Sequence, residues 1–231
     1  MSHYRIETDM LTLFTEITCL SLAVFTGLLA YRSMNRFFRT LLLQVIIWSL
    51  FYAGSYSVTW SQQSAGQEVD NRWLMNIHLI IETGLLFTAA WFVLPKPLRT
   101  FVSAGAFSLF LLVLGIQIGK QGFEVYLNYA DVTACMLITL VFSLVLYTFG
   151  QQTSVRLWRS PEKWACLGIL MYFACSVPYV SMMNYLQTEN PEANTFLYYL
   201  ISGVLANLRY LLLALAFWLI YRKTKQKTLN V

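Results

Sequence analysis

The sequence predicts an all-α fold, a polytopic membrane protein built as a seven-transmembrane-helix bundle, with its N-terminus outside and its C-terminus in the cytoplasm. The composition is the first reason, because 58% of the 231 residues are hydrophobic and 12% are charged, against about 25% charged residues in soluble domains. The second is a series of apolar runs long enough to cross a bilayer. The third is the distribution of lysine and arginine, which predicts the orientation.

Seven apolar runs each approach or exceed the roughly 20 residues that a helix needs to cross the hydrocarbon core. The connections between them are short, so we expect a single membrane domain over residues 1–231. Because acidic residues rather than a basic cluster precede the first run, we expect a retained helix and not a cleaved signal peptide. The predicted spans are about 10–31, 40–60, 73–94, 99–119, 127–149, 163–187 and 196–221.

Proline marks several span boundaries. The segment PKPLR (95–99) predicts a tight turn between the third and fourth spans, because proline cannot continue a helix. SPEK (160–163) and NPEA (190–193) each place Ser or Asn before a proline, the typical order of an N-cap and a first helical residue. Pro178 lies inside the sixth span and predicts a kink there.

Basic residues are concentrated in alternate connections. Of the 16 Lys and Arg residues, twelve follow the first, third, fifth and seventh spans, three lie on the opposite side and Arg209 lies within a span. The positive-inside rule places the richer side in the cytoplasm. The net charge of +5 is therefore interpreted as a topology signal, and no nucleic-acid partner is expected. The twelve are Arg32, Arg36, Arg39, Lys96, Arg99, Arg156, Arg159, Lys163, Arg222, Lys223, Lys225 and Lys227.

Five ionisable side chains are predicted inside the spans, where such groups are costly and usually functional. His78 and Glu82 are four residues apart and so share one face of the third span, in line with Asn71 and Met75. A polar stripe on the second span, from Gln44 through Trp48, Tyr52 and Ser55 to Thr59, is one of several similar stripes. We expect them to surround a polar pocket open to the outside. The five ionisable residues are Glu16, His78, Glu82, Asp131 and Arg209.

Asn207 and Arg209 are two residues apart on the seventh span, so they point in different directions around the helix. We expect Asn207 to face the interior with Gly203 and Tyr210. Arg209 is then expected to lie in a side crevice or to pair with a carboxylate. Its candidate partners are Glu16, Glu82 and Asp131.

His78 and Glu82 form the centre of the predicted site. A ligand or proton site and a hydrogen-bonded clamp without a ligand are both compatible with the pattern. A metal site formed by Glu16, His78, Glu82 and Asp131 is a further alternative. No catalytic residue and no cofactor are predicted. The candidate ligand-binding residues are Glu82, His78, Asn76, Glu16, Asp131, Asn207, Arg209, Tyr210 and Tyr179.

Several functional classes lack their sequence signatures. All lysines lie outside the seventh span, so a retinal Schiff base has no attachment point. No HExxH, GxSxG or Gly-rich phosphate loop occurs. The four cysteines form no CxxC motif, which leaves no zinc or disulfide signal. The pattern therefore favours a protein that is not an enzyme.

Several different short motifs are spread along most of the chain. The third span carries N-x-[YH]-x-x-x-E, an acidic residue opens the fifth span, and Leu-x-x-x-P-x-x-W leads into the sixth. Together they resemble a family of small, largely uncharacterised seven-span inner-membrane proteins of Bacteroidota, often encoded near sensor histidine kinases. The resemblance implies the seven-span architecture and a role for Glu82 inside the bundle. This chain has His78 where tyrosine is expected and Asp131 where glutamate is more usual. The residues that carry it are Asn76, His78, Glu82, Asp131, Leu157, Pro161, Trp164, Tyr172, Phe173 and Asn207.

The first functional hypothesis is a multi-pass inner-membrane protein that binds a ligand at the outward-facing pocket and transmits occupancy to a partner. Its partners are the lipid bilayer and a sensor kinase or another membrane protein, and the sequence gives no oligomeric state. Transmission is expected through the Pro178-kinked span and the connection RLWRSPEK (156–163). The alternatives are a small-solute or proton-coupled transporter, a metal-assisted lipid enzyme, and a structural subunit.

Overall fold

A computed structural model describes residues 2–64, 71–152 and 159–229 of the chain. Within these ranges the regular structure is helical throughout, which confirms the predicted all-α class. A 3-10 turn covers Tyr31–Ser33, and two π-helical segments cover Thr100–Ala104 and Tyr199–Leu205. The α-helices are α1 (Ser2–Ala30), α2 (Arg36–Ser64), α3 (Arg72–Val93), α4 (Lys96–Arg99), α5 (Gly105–Gln121), α6 (Asn128–Gln152), α7 (Pro161–Glu189), α8 (Pro191–Tyr198) and α9 (Ala206–Leu229).

Seven helical segments in the described residues are long and apolar enough to cross a membrane, as predicted. The fourth consists of α4, a π-helical segment and α5, and the seventh consists of α8, a π-helical segment and α9. The chain is therefore a multi-pass membrane protein, while the orientation of its termini stays a prediction. The segments are Phe14–Ser33, Arg36–Gln62, Arg72–Val93, Lys96–Gln121, Asn128–Gln151, Pro161–Glu189 and Pro191–Gln226.

Large apolar side chains are exposed along these segments. Phe101 is 84% exposed, Phe14 is 70% exposed and Leu50 is 68% exposed. In a soluble protein such surfaces would mark an interaction site. In helices of this length they are the surfaces that contact lipid.

The helices group into two compact units. The first unit comprises Met1–Asn35 and Phe142–Val231, and in it α9 packs against both α1 and α7. The second unit comprises Arg36–Val141, and in it α3 packs against α2, the π-helical segment Thr100–Ala104 and α5. Each unit is described by itself below, and the single membrane domain stays a prediction.

The predicted N-caps lie where the sequence places them. Asn190 precedes α8, and its side-chain oxygen accepts a hydrogen bond from the Ala193 N–H at 3.1 Å. Ser160 precedes α7, but its hydroxyl donates to the Glu162 carboxylate at 2.9 Å instead of accepting from the backbone. The helix α7 continues through Pro178 to Glu189, and the kink predicted there stays a prediction.

The turn between the third and fourth spans is shorter than the predicted 95–99. Only Leu94 and Pro95 interrupt the helices, and α4 begins at Lys96. The Pro95 carbonyl accepts hydrogen bonds from the N–H groups of Leu98 and Arg99 at 3.0 Å and 2.9 Å. The second proline of PKPLR lies in the first helical turn, where backbone N–H groups have no intrahelical partner, so it does not interrupt the helix.

In the first unit, α7 and α9 approach closely at Gly168. A Cβ atom at this position would lie 3.1 Å from the Leu212 Cβ and 3.2 Å from the Arg209 carbonyl oxygen. Small residues allow this kind of backbone approach between membrane helices.

We predict that Gly168→Ala destabilises the protein by about 1–3 kcal/mol, because the new methyl group meets the backbone of α9. The matched control is Gly150→Ala in α6, where a Cβ has nothing within 4 Å. The control is expected to be neutral or to add up to about 1 kcal/mol through helix propensity. Thermal unfolding in micelles compares the two, and equal effects on stability would contradict the described packing.

Candidate functional site

In the second unit, three pairs of side chains join α2 to α3 along one shared face. From the first pair to the second, the position falls by seven residues on the α2 side and rises by seven on the α3 side. From the second pair to the third, the corresponding change is four residues on each side. This register is that of two antiparallel helices whose polar stripes face each other. The pairs are Ser55 with Asn71, Trp48 with His78, and Gln44 with Glu82.

Glu82 lies at the end of this face, and its side chain is held by residues of two helices. The residue is 9% exposed. One carboxylate oxygen accepts a hydrogen bond from the Gln44 side-chain amide at 2.8 Å. The other carboxylate oxygen lies 3.8 Å from His78 Nε2. The prediction that His78 and Glu82 share one face of the third span is confirmed.

His78 lies against aromatic rings of α2. Its ring centroid is 4.0 Å from that of Trp48 and 5.6 Å from that of Phe51. Only 8% of the residue is exposed. The His78 ring therefore lies next to both the Glu82 carboxylate and the Trp48 ring.

Asp131 belongs to the same unit and lies in the first turn of α6. Its carboxylate accepts hydrogen bonds from the Tyr126 hydroxyl and, at 3.6 Å, from the Cys135 thiol. The Asp131 and Glu82 carboxylates are close enough for their charges to interact. Two acidic groups, the Gln44 amide and His78 therefore occupy one region of the second unit.

Asn76 is fully buried and holds the segment that leads into α6. Its amide nitrogen donates to the carbonyl oxygens of Phe123 and Val125 at 2.8 Å and 2.9 Å. Its side-chain oxygen accepts a hydrogen bond from the Leu127 N–H at 3.1 Å. Asn76 was predicted to bind ligand, but its donors and its acceptor are used by the protein itself.

A second buried side-chain amide, that of Gln117, binds the backbone at the start of α6. The Gln117 side-chain oxygen accepts from the Ala130 N–H at 2.9 Å, and the Gln117 residue is 4% exposed. Amide oxygens of two other helices therefore satisfy N–H groups that the first helical turn leaves without intrahelical partners. Gln117 was not among the predicted site residues, although a glutamine inside an apolar run is an available signal.

In the first unit, Arg209 is 3% exposed and lies among aromatic rings. Its guanidinium carbon is 4.6 Å from the Tyr172 ring centroid, 5.4 Å from that of Phe173 and 5.0 Å from that of Tyr210. Its Nη2 also donates to the Tyr210 hydroxyl at 3.2 Å. Arg209 was expected to lie in a side crevice or to pair with a carboxylate, and these cation–π contacts were not predicted. The carboxylate pairing stays a prediction. Glu16, a predicted partner in this unit, is buried on α1, which packs against α9.

The other candidates of the first unit lie on α7 and α9. Asn207 is 9% exposed, and its amide donates to the Gly203 carbonyl in the preceding π-helical segment. Tyr210 is 1% exposed, and Tyr179 is half-buried. The predicted site residues are distributed over the two units. Asn76, His78, Glu82 and Asp131 belong to the second, and Glu16, Tyr179, Asn207, Arg209 and Tyr210 belong to the first.

The metal alternative receives no support from the described residues, because no three His, Cys, Asp or Glu side chains among them are grouped closely enough to hold an ion. Leu157, which contributed to the resemblance, lies outside the described residues. The Gln44, His78, Glu82 and Asp131 side chains are therefore the better-defined candidate site. We call them, together with Trp48, the Glu82 cluster.

We predict that Asn76→Ala loosens the segment before α6. Each buried backbone group that loses its partner costs about 1–3 kcal/mol, so the amide of Leu127 should exchange with deuterium faster than in the wild type. Asn184→Ala, at an exposed position on α7, is the control and should leave that exchange unchanged. Wild-type protection of Leu127 in the Asn76 variant would show that the bonds are not formed.

No protein-family model, curated protein or solved structure matches this chain. The resemblance to the Bacteroidota family therefore stays an expectation. The functional interpretation depends on the membrane fold and on the geometry of the Glu82 cluster.

Proposed function

We propose that this multi-pass protein of the inner membrane binds a small ligand at the Glu82 cluster and transmits its occupancy to a membrane or cytoplasmic partner. The observation that carries the proposal is the buried Glu82 carboxylate, which accepts from Gln44 at 2.8 Å and lies 3.8 Å from His78. Ionisable groups inside membrane helices are costly to insert, by about 2.5–3.5 kcal/mol for an aspartate on insertion scales, and they usually mark function.

Ligand binding at Glu82 is coupled to helix packing. The Gln44–Glu82 hydrogen bond joins α2 to α3, so a ligand that competes for this carboxylate changes the contact between the two helices. The ligand can shift the helices only by as much as it prefers the altered arrangement. We therefore assign the signal to two arrangements of α2 and α3, one with the Gln44–Glu82 contact and one in which the ligand has altered it.

The other ends of α2 and α3 supply a route for the signal. Near the start of α2, the Arg36 guanidinium lies 5.8 Å from the ring centroid of Phe92, at the end of α3. This end is the one predicted to face the cytoplasm, where Arg36 and Arg39 are exposed to a partner. The route differs from the one expected from sequence, through Pro178 and residues 156–163, of which residues 156–158 lie outside the described part of the chain.

Proton-coupled transport is the second candidate function. It is favoured by the contact of His78 with Glu82, because histidine is the side chain that most readily changes charge near neutral pH. Protonation of His78 would strengthen its attraction to Glu82 and weaken the hydrogen bond between Gln44 and Glu82. The same cluster could then change helix packing once in each transport cycle.

We predict that Glu82→Gln abolishes signalling. The substitution keeps the size of the side chain and a hydrogen bond to Gln44 but removes the charge. In a deletion strain carrying the variant, phosphorylation of the response regulators should fall to the level of the strain without the protein. The matched control is Glu124→Gln, at an exposed position of the same unit, which should restore wild-type phosphorylation.

Wild-type phosphorylation by Glu82→Gln, at equal membrane abundance, would contradict the sensor proposal. Proteoliposomes that contain a trapped pH indicator distinguish the second candidate. Transport predicts that added solutes discharge an imposed pH gradient through the wild-type protein and not through Glu82→Gln. A sensor predicts that neither protein moves protons.

A further inference from the structure

We propose that the ligand of the Glu82 cluster is a small monovalent cation, bound by the side-chain oxygens of Asn128, Asp131 and Glu82. The proposal rests on the proposed function, since it names the chemical class that the same site binds. It covers an alkali-metal ion and the ammonium head of a small amine, because both are recognised by oxygen acceptors.

Asn128 supplies the observation that points to a ligand. It is the first residue of α6 and is 7% exposed. Its side-chain oxygen is buried and has no hydrogen-bond partner among the described residues. A buried acceptor without a partner costs about 1–3 kcal/mol, and a cation bound there would remove that cost.

The neighbouring groups on the same face are acidic. Asn128 and Asp131 are three positions apart in α6, so their side chains are neighbours on the helix surface. Cys135 continues the same face and contacts the Asp131 carboxylate at 3.6 Å. The charge of Glu82 acts on Asp131, so both carboxylates contribute negative charge to the surroundings of Asp131.

The groups available at this neighbourhood favour a cation over an anion. A helix N-terminus normally attracts anions through its unpaired N–H groups. At the start of α6, the Leu127 N–H donates to Asn76 and the Ala130 N–H donates to Gln117. Asn128 Oδ1 and the carboxylates of Asp131 and Glu82 are hydrogen-bond acceptors.

The ligand set also favours a monovalent ion or an ammonium group. Carboxylate and amide oxygens suit hard cations, whereas transition metals prefer histidine and cysteine. Calcium takes six to eight oxygen ligands, usually several of them carboxylates. One amide and two carboxylates are fewer ligands than calcium takes, and we assign a singly charged guest on that ground.

Thermal unfolding of the full chain in nanodiscs tests the proposal. The chloride salts of sodium, potassium, ammonium, methylammonium and N-methylglucamine are compared at one ionic strength. At least one small cation should raise the Tm with a saturable dependence on concentration, and the bulky cation N-methylglucamine should not. Sodium or potassium dependence assigns an inorganic ion, and ammonium or methylammonium dependence assigns an amine.

Variants of Asn128 assign the effect to this site. Asn128→Ala removes the amide oxygen and should weaken the apparent affinity roughly tenfold, which corresponds to the net worth of about one buried interaction. Asn128→Asp adds a charged oxygen and should strengthen it. The matched control is Asn194→Ala on α8, because Asn194 also has a buried side-chain oxygen without a hydrogen-bond partner in the described residues. It should keep the wild-type affinity.

Two results would overturn the cation proposal. One is equal stabilisation by all five salts, which indicates ionic strength alone. The other is that both Asn128 variants need the same cation concentration as the wild type for half of the Tm increase. If Asn128→Ala does not fold, Asn128→Asp alone decides the result. If these results occur while Glu82→Gln still abolishes signalling, the cation is wrong and the ligand-binding function stands.

Discussion

Hydrocarbon offers no hydrogen-bond partners, so each polar group inside these helices must find its partner within the protein. In the second unit, side-chain amides supply several of these partners. Gln44 on α2 donates to Glu82 on α3, and Asn76 holds the segment before α6. Gln117 then accepts from the first turn of α6. Buried side-chain amides thus join these helices to one another.

The sequence predicted the class, the seven spans and the shared face of His78 and Glu82, because hydropathy and helical periodicity are local properties of the chain. It did not predict which side chains of different helices contact each other. Arg209 was expected in a side crevice or beside a carboxylate, and its contacts with the rings of Tyr172 and Phe173 were not foreseen. Asn76 was assigned a ligand, yet it binds three backbone groups. Such pairs depend on the register and crossing of different helices, which no short stretch of sequence encodes.

The function proposed for the protein follows from the cost of burying charged side chains inside the helices. A clamp that only fixed helix register could be built from neutral amides, such as the Gln117 contact with Ala130. The Glu82 cluster instead combines carboxylates with a histidine held between aromatic rings. Charged groups in this setting are expensive to bury and easily changed by a proton or a cation. Their presence favours a site that responds to its surroundings.

A double-mutant cycle on Gln44 and Glu82 tests the interhelical contact most directly. The unfolding free energies of the wild type, Gln44→Ala, Glu82→Ala and the double variant are measured in micelles. A buried hydrogen bond to a charged group predicts a coupling energy of about 1.5–3 kcal/mol between the two positions. Effects that add to within about 0.5 kcal/mol would contradict the contact. They would remove the link between Glu82 and helix packing.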